Sequence, residues 1–306
     1  MIKENSGYLQ SNNIENIKTH QIYYTLFTPE IAAKGAILIL HGLQEDSECY
    51  ISFARHLAFQ GFVVLTYDHL GYGKTAKNKD QIGFFTRKNA KEQLIYDAKL
   101  MAEFLDNSYQ DIPLFIMGHS IGSFITRCLL RQSSIHFNGA VIIGTGAKPV
   151  GVSFITTFLY FLDAIAPRYR SPLINRIFLK FNKKTVENDS IIYQRIFQHK
   201  IYDTPFTNNV FYTFFSLVET ATERQWTKSI SKQFPFLFVN DNPTNAFNAI
   251  QPTIDDLKSN GFKNVESVFY PDVQDKTPNK TKKKLFFDNI SSWLNKVFEE
   301  LPIEHF

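Results

Sequence analysis

Residues 118–122 read Gly118-His119-Ser120-Ile121-Gly122. The short apolar run Leu114–Met117 precedes them, and a helical pattern over Ser120–Arg131 follows. A G-x-S-x-G stretch between a strand and a helix is a nucleophile-elbow pattern. The serine sits in a strained turn, and side chains at the flanking positions would collide with the neighbouring strand and helix. The turn aims the N-terminus of the following helix at whatever binds Ser120, so the Ile121 N–H is one candidate oxyanion donor. A second should come from the loop at His41-Gly42-Leu43, through the Leu43 N–H.

Outward from the elbow, the first half of the chain alternates strands and helices. Gln21–Phe27 and Ala36–Leu40 read as strands, Ile51–Gln60 as a helix stopped at Gly61, and Phe62–Tyr67 as a strand buried on both faces. Ala90–Leu105 has helical spacing, with Leu94, Ala98, Met101 and Leu105 on one side, and Gly139–Ile143 is the next strand. The alternation returns with Phe236–Val239 (strand), Thr244–Asn260 (helix), Val265–Tyr270 (strand) and Lys282–Glu300 (helix). Strands separated by helices predict an α/β fold, a mostly parallel sheet covered on both faces.

Between these halves the rhythm breaks. Residues 147–231 hold 16 aromatics in 85 positions, with 11 Lys and Arg against 6 Asp and Glu. That excess of five covers the whole chain's formal charge of +4. We expect a helical cap inserted into a core formed by residues 1–146 and 232–306. Its aromatics and cations suit an acyl chain and peripheral contact with an anionic membrane surface or a phosphate headgroup. They suit equally a cap with its own core and a solvated face.

The bulk figures set further bounds. With 306 residues there is ample material for a large core, and 44% hydrophobic with 20% charged residues is ordinary globular composition. The dispersed charge gives no nucleic-acid footprint. Two cysteines, Cys49 and Cys128, lie in helical patterns and predict buried thiols in a reducing, cytoplasmic setting. The first residues lack an apolar signal region, and Val150–Ala166 is too short and interrupted to span a bilayer.

Three ordered motifs, with Ile82-Gly83-Phe84-Phe85 and Gly144-Thr145-Gly146 beside them, carry a resemblance over most of the chain. They are His41-Gly42-Leu43-Gln44-Glu45-Asp46-Ser47, Tyr67-Asp68-His69-Leu70-Gly71-Tyr72-Gly73-Lys74-Thr75, and the elbow itself. The chain resembles the monoacylglycerol lipase and bacterial lysophospholipase branch of the α/β-hydrolase fold. The resemblance implies a carboxylester hydrolase of single-chain acyl lipids or other small esters, with Ser120 as nucleophile and no cofactor.

Two positions depart from that pattern. The family's acid falls on Asn242, or on Asp241 with another gap placement, and its histidine falls on Asp275. The second departure does not rest on fine alignment, because residues 200–304 contain no histidine. A serine without an imidazole base is a weak nucleophile. An ordinary carboxylate is too acidic to replace that base near neutral pH. Activity is therefore expected to be weak or absent, and a pseudo-hydrolase that binds a lipid-like ligand or a protein partner is the alternative. His41, His69, His119 and His199 are the histidines to weigh as substitute bases.

Overall fold

The computed structural model describes residues 2–12, 19–132, 135–178, 204–240, 250–269 and 279–301. Eight strands form one sheet: β1 (Ile2–Asn12), β2 (Thr19–Pro29), β3 (Gly35–Leu40), β4 (Phe62–Tyr67), β5 (Leu114–His119), β6 (Gly139–Ile143), β7 (Phe236–Asn240) and β8 (Val265–Phe269). Their spatial order is β1-β2-β4-β3-β5-β6-β7-β8. β1–β2 and β2–β4 pair antiparallel, and every later pair is parallel. The expected mostly parallel sheet with flanking helices is what forms.

The central strands β3 to β6 are buried along their whole lengths, which is why they read as unbroken apolar runs. Successive side chains point to opposite faces. Ala36, Leu38 and Leu40 join the core beneath α2 (Ala90–Ser108) and α3 (Ile121–Gln132). Ile37 and Ile39 join the other, beneath α1 (Ile51–Phe59) and the helix Asn279–Glu300.

Strand β1 is a finding that hydrophobic patterning did not announce. IKENSGYLQSN is polar and mostly exposed, yet it pairs with β2 along its full length, from Ile2 opposite Pro29 to Asn12 opposite Thr19. An edge strand needs backbone partners more than an apolar face. The helix read over Thr244–Asn260 is shorter, running over Gln251–Ser259 with Ile250 as its N-cap and Asn260 as its C-cap; residues 241–249 lie outside the described residues.

Between β6 and β7, α4 (Val152–Ile165) buries the narrow stripe Val152, Thr156, Leu159 and Asp163. Its other face exposes Phe154, Phe158, Phe161 and Ile165. The helix Asn208–Ala221 differs. Val210, Phe211, Phe215, Leu217 and Val218 share one core with α2 and α3. Asn208 Nδ2 donates to the Leu162 and Ala166 carbonyls at 3.3 and 2.9 Å, closing the free end of α4. Asn209 Nδ2 donates to buried Asp163 at 3.1 Å, and Thr207 Oγ1 donates to the Gly83 carbonyl at 2.7 Å. This corner therefore joins the segment between β6 and β7 to the loop that follows β4. No helix among the described residues is long and apolar enough to cross a membrane.

Candidate active site

Ser120 lies between β5 and α3 with φ +51°, the left-handed backbone that an elbow imposes on a non-glycine residue. Its N–H donates to the Ile143 carbonyl at 2.9 Å, and its carbonyl accepts from the Ser123 N–H and Oγ at 2.9 and 2.6 Å. The flanking glycines are required by contact. A Cβ at position 118 would stand 2.3 Å from the Gly122 carbonyl oxygen, and one at 122 would stand 2.5 Å from that of Leu40. The elbow is thus pressed between its own helix and β3.

Ile121 directly follows Ser120, and Leu43 lies in the loop that follows β3. Ile121 opens α3, so its N–H has no partner inside the helix. The Leu43 N–H donates to nothing among the described residues.

A buried polar network holds the Leu43 loop. Glu45 Oε2 accepts from the Gly42 N–H at 2.8 Å and from the Tyr50 hydroxyl at 2.7 Å, and His119 Nδ1 stands 3.0 Å from the same oxygen. Burial alone would raise the Glu45 pKa. The charge of His119, with hydrogen bonds from His119, Tyr50 and the Gly42 N–H, outweighs burial and holds it at about 2. On the far side, Asp68 accepts from the Ser47 and Lys74 N–H groups at 2.8 and 2.6 Å, tying the loop after β3 to the loop after β4. Burial raises the Asp68 carboxyl, partly offset by those bonds.

The candidate substitute bases are committed elsewhere. His41 Nδ1–H donates to the Gly42 carbonyl at 2.7 Å, while its Nε2 accepts from the His69 N–H at 2.9 Å. His69 Nε2–H donates to the His41 carbonyl at 3.1 Å, so it bridges two loops rather than bonding within its own. The rings pack against each other with centroids 4.1 Å apart and planes tilted by 49°. Burial pushes His41 below the ordinary range and His69 well below it, so both stay neutral. His119 is occupied by Glu45 and by Tyr50, whose Oη lies 2.9 Å from its Nδ1. No imidazole is hydrogen-bonded to Ser120 Oγ among the described residues. Asp241, Asn242, Asp275 and His199 lie outside those residues.

Two participants carry roles that the sequence alone did not assign. Glu45 is visible within the first motif, but without a partner its role cannot be read. Arg127 is the one charged residue in the run Phe124-Ile125-Thr126-Arg127-Cys128-Leu129, and that isolation is its signal. Its guanidinium is buried, donates to Thr145 Oγ1 at 3.1 Å and to the Gly146 carbonyl at 2.9 Å, and stacks on Trp226 at 4.4 Å. Burial lowers its pKa to about 10. Arg127 thereby fixes the loop after β6, the strand whose last carbonyl holds the Ser120 N–H. No group of three or more His, Cys, Asp or Glu among the described residues is arranged to hold a metal ion.

The profile of the family described as "Serine aminopeptidase, S33" matches residues 31–240. The chain belongs to this family. It is an α/β-hydrolase-fold protein, and monoglyceride lipases are among its relatives. The monoglyceride lipase of Mus musculus is 22% identical over 187 residues, covering 60% of each chain. The match thus spans less than two thirds of that relative. Among solved structures, a thermostable carboxyl esterase from Bacillus coagulans superposes with a TM-score of 0.81 at 18% identity, covering 96% of this chain and 99% of the other. A soluble variant of the monoglyceride lipase from Saccharomyces cerevisiae superposes with a TM-score of 0.68 at 16% identity, covering 94% of each.

Proposed function

We propose that this chain is a serine carboxylester hydrolase of low turnover, acting on monoacylglycerols, lysophospholipids or similar small esters. Ser120 attacks the acyl carbon, and the N–H groups of Leu43 and Ile121 receive the developing oxyanion. The strained backbone of Ser120 at the mouth of α3 carries this reading. Monoglyceride lipase relatives support the ester class. Turnover is low because the positions that the resemblance gives to acid and base hold Asn242 and Asp275. In one well-studied protease, loss of the triad histidine costs about 10⁶ in turnover, leaving about 10³–10⁴ over water to the oxyanion hole and binding.

The insertion 147–231 acts as a cap over the acyl chain and touches lipid surfaces peripherally. The exposed side chains Phe154, Phe158, Phe161 and Ile165 on α4 support that contact. A cytoplasmic, reducing location accords with two free, buried thiols.

A second reading is favoured by the absence of any histidine in residues 200–304. On it, the protein binds a lipid-like ligand or a protein partner without turning it over. Reinstating the relay tests the first reading. Asp275→His with Asn242→Asp is expected to raise ester turnover by about 10²–10⁴, the usual contribution of general acid–base catalysis. A double variant that stays folded and gains nothing would show that the pocket or oxyanion hole is no longer competent.

A further inference from the structure

A cavity of about 780 Å³ opens between the start of β2, the loop that follows β4 and the turn after α4. Lys77, Arg87, Lys88 and Arg168 line it together with His20, and no carboxylate does among the described residues. Basic side chains on an exposed loop are ordinarily a solvated face, so the arrangement decides the matter. A cavity of this volume is roughly 11 Å across, comparable with the Debye length of about 8–10 Å at physiological salt. Its cations therefore act jointly on anything inside. None of the four has a carboxylate partner among the described residues.

Two of these groups are held in place. Arg168 stacks on the Phe84 ring, 3.8 Å from its centroid, and donates one N–H to the Asp80 carbonyl at 2.7 Å. The guanidinium has five donors, so most of its fork stays available for the paired oxygens of a phosphate. His20 Nε2 is bonded to Asp97 Oδ2 at 2.9 Å. Asp97 is itself buried and also accepts from Ser11 Oγ and Gln93 Nε2 at 2.6 and 2.9 Å. That anchoring fixes the ring at the cavity wall, and its Nδ1 makes no hydrogen bond among the described residues. Leu70, Phe84 and Phe85 supply an apolar floor.

We propose that this cavity binds a phosphate group carried on an organic moiety, the four cations taking the phosphate and the apolar floor taking the carbon part. The ligand is a phosphate ester, either a small soluble organophosphate or a phospholipid headgroup. This site uses none of the residues assigned to ester hydrolysis.

Titration calorimetry on the full chain with glycerol 3-phosphate, at constant ionic strength set by chloride, tests the proposal. Saturable binding is expected. Arg87→Gln with Lys88→Gln, both exposed and free of structural bonds among the described residues, should weaken it at least tenfold. Arg168→Gln provides a second variant, with circular dichroism confirming the fold of each. Lys228→Gln with Lys258→Gln removes equal charge from exposed positions outside the cavity lining and should leave binding within twofold. The proposal fails if the native chain shows no saturable binding, or if both pairs weaken it equally.

Co-sedimentation with phosphatidylcholine vesicles, with and without phosphatidic acid, separates the two sources. Capture that requires phosphatidic acid, is competed by glycerol 3-phosphate and is lost in Arg87→Gln with Lys88→Gln assigns the headgroup. Calorimetric binding without capture assigns the soluble ester.

Discussion

Glu45→Gln should change how stability depends on acidity. In the native chain the Glu45 carboxyl is held at about 2, against 4.5 for an unperturbed group. A tenfold change in proton affinity between the folded and unfolded chain is worth about 1.4 kcal/mol, so ionisation of Glu45 contributes on the order of 3 kcal/mol to the folded state. The folded value lies below the unfolded one. The contribution is therefore complete above about pH 4.5 and is lost as pH falls from there through about 2. Glutamine keeps the shape and one acceptor for the Gly42 N–H and Tyr50 hydroxyl, but removes the charge opposite His119. At pH 7 the variant should be less stable by up to about 3 kcal/mol. The gap should narrow as pH drops below 4.5, where Glu45 of the unfolded chain takes up a proton that the folded chain takes up only near 2. Urea unfolding followed by tryptophan fluorescence, at intervals from pH 7 to pH 3, reads the difference directly, and the remaining carboxylates cancel between the two proteins. A gap that stays constant across that range would refute the charge-based account of the network.

Three other perturbations follow from close contacts and burial. Gly122→Ala puts a methyl group 2.5 Å from the Leu40 and 2.8 Å from the His41 carbonyl oxygens, both immovable backbone. It should cost about 3 kcal/mol or more, whereas Gly151→Ala, with nothing within 4 Å and φ +75°, should cost only the roughly 1–2 kcal/mol of a left-handed residue; thermal melts compare them. Arg127→Met removes the donors to Thr145 and Gly146 and the stack on Trp226, and should cost about 2–3 kcal/mol with a shift in tryptophan emission. Cys49 and Cys128 should resist a thiol-specific disulfide reagent at pH 8 until the chain unfolds. Burial raises both thiols, Cys128 to about 12, and shields them from solvent.

The parts of this molecule legible in its sequence are those where one physical constraint dominates. Strands β3 to β6 are buried on both faces, so only apolar residues satisfy them, and their extents were readable to within a residue or two. The elbow was readable because Gly118 and Gly122 face backbone at distances no side chain tolerates. Strand β1 was not, because an edge strand held by backbone pairing carries no required alternation. The network behind the Leu43 loop was hidden for a different reason. Glu45, Tyr50 and His119 meet across 74 positions of chain, and their chemistry exists only once β3 and β5 lie side by side. His41 and His69 lie at the carboxyl ends of strands, where a substitute base has to be weighed, and the sequence motifs around them already suggest structural rings. Their ring nitrogens bond the backbone of two loops, and only the partner of His69, across in the His41 loop, was not legible.

The central claim is that Ser120 is the attacking nucleophile. Hydrolysis of a monoacylglycerol and of a short acyl ester by the purified protein, with Ser120→Ala measured in parallel, tests it most directly. The account predicts slow turnover in the native chain that disappears in Ser120→Ala while the fold is retained. Equal rates in the two proteins would contradict it and leave Ser120 without a part in the chemistry.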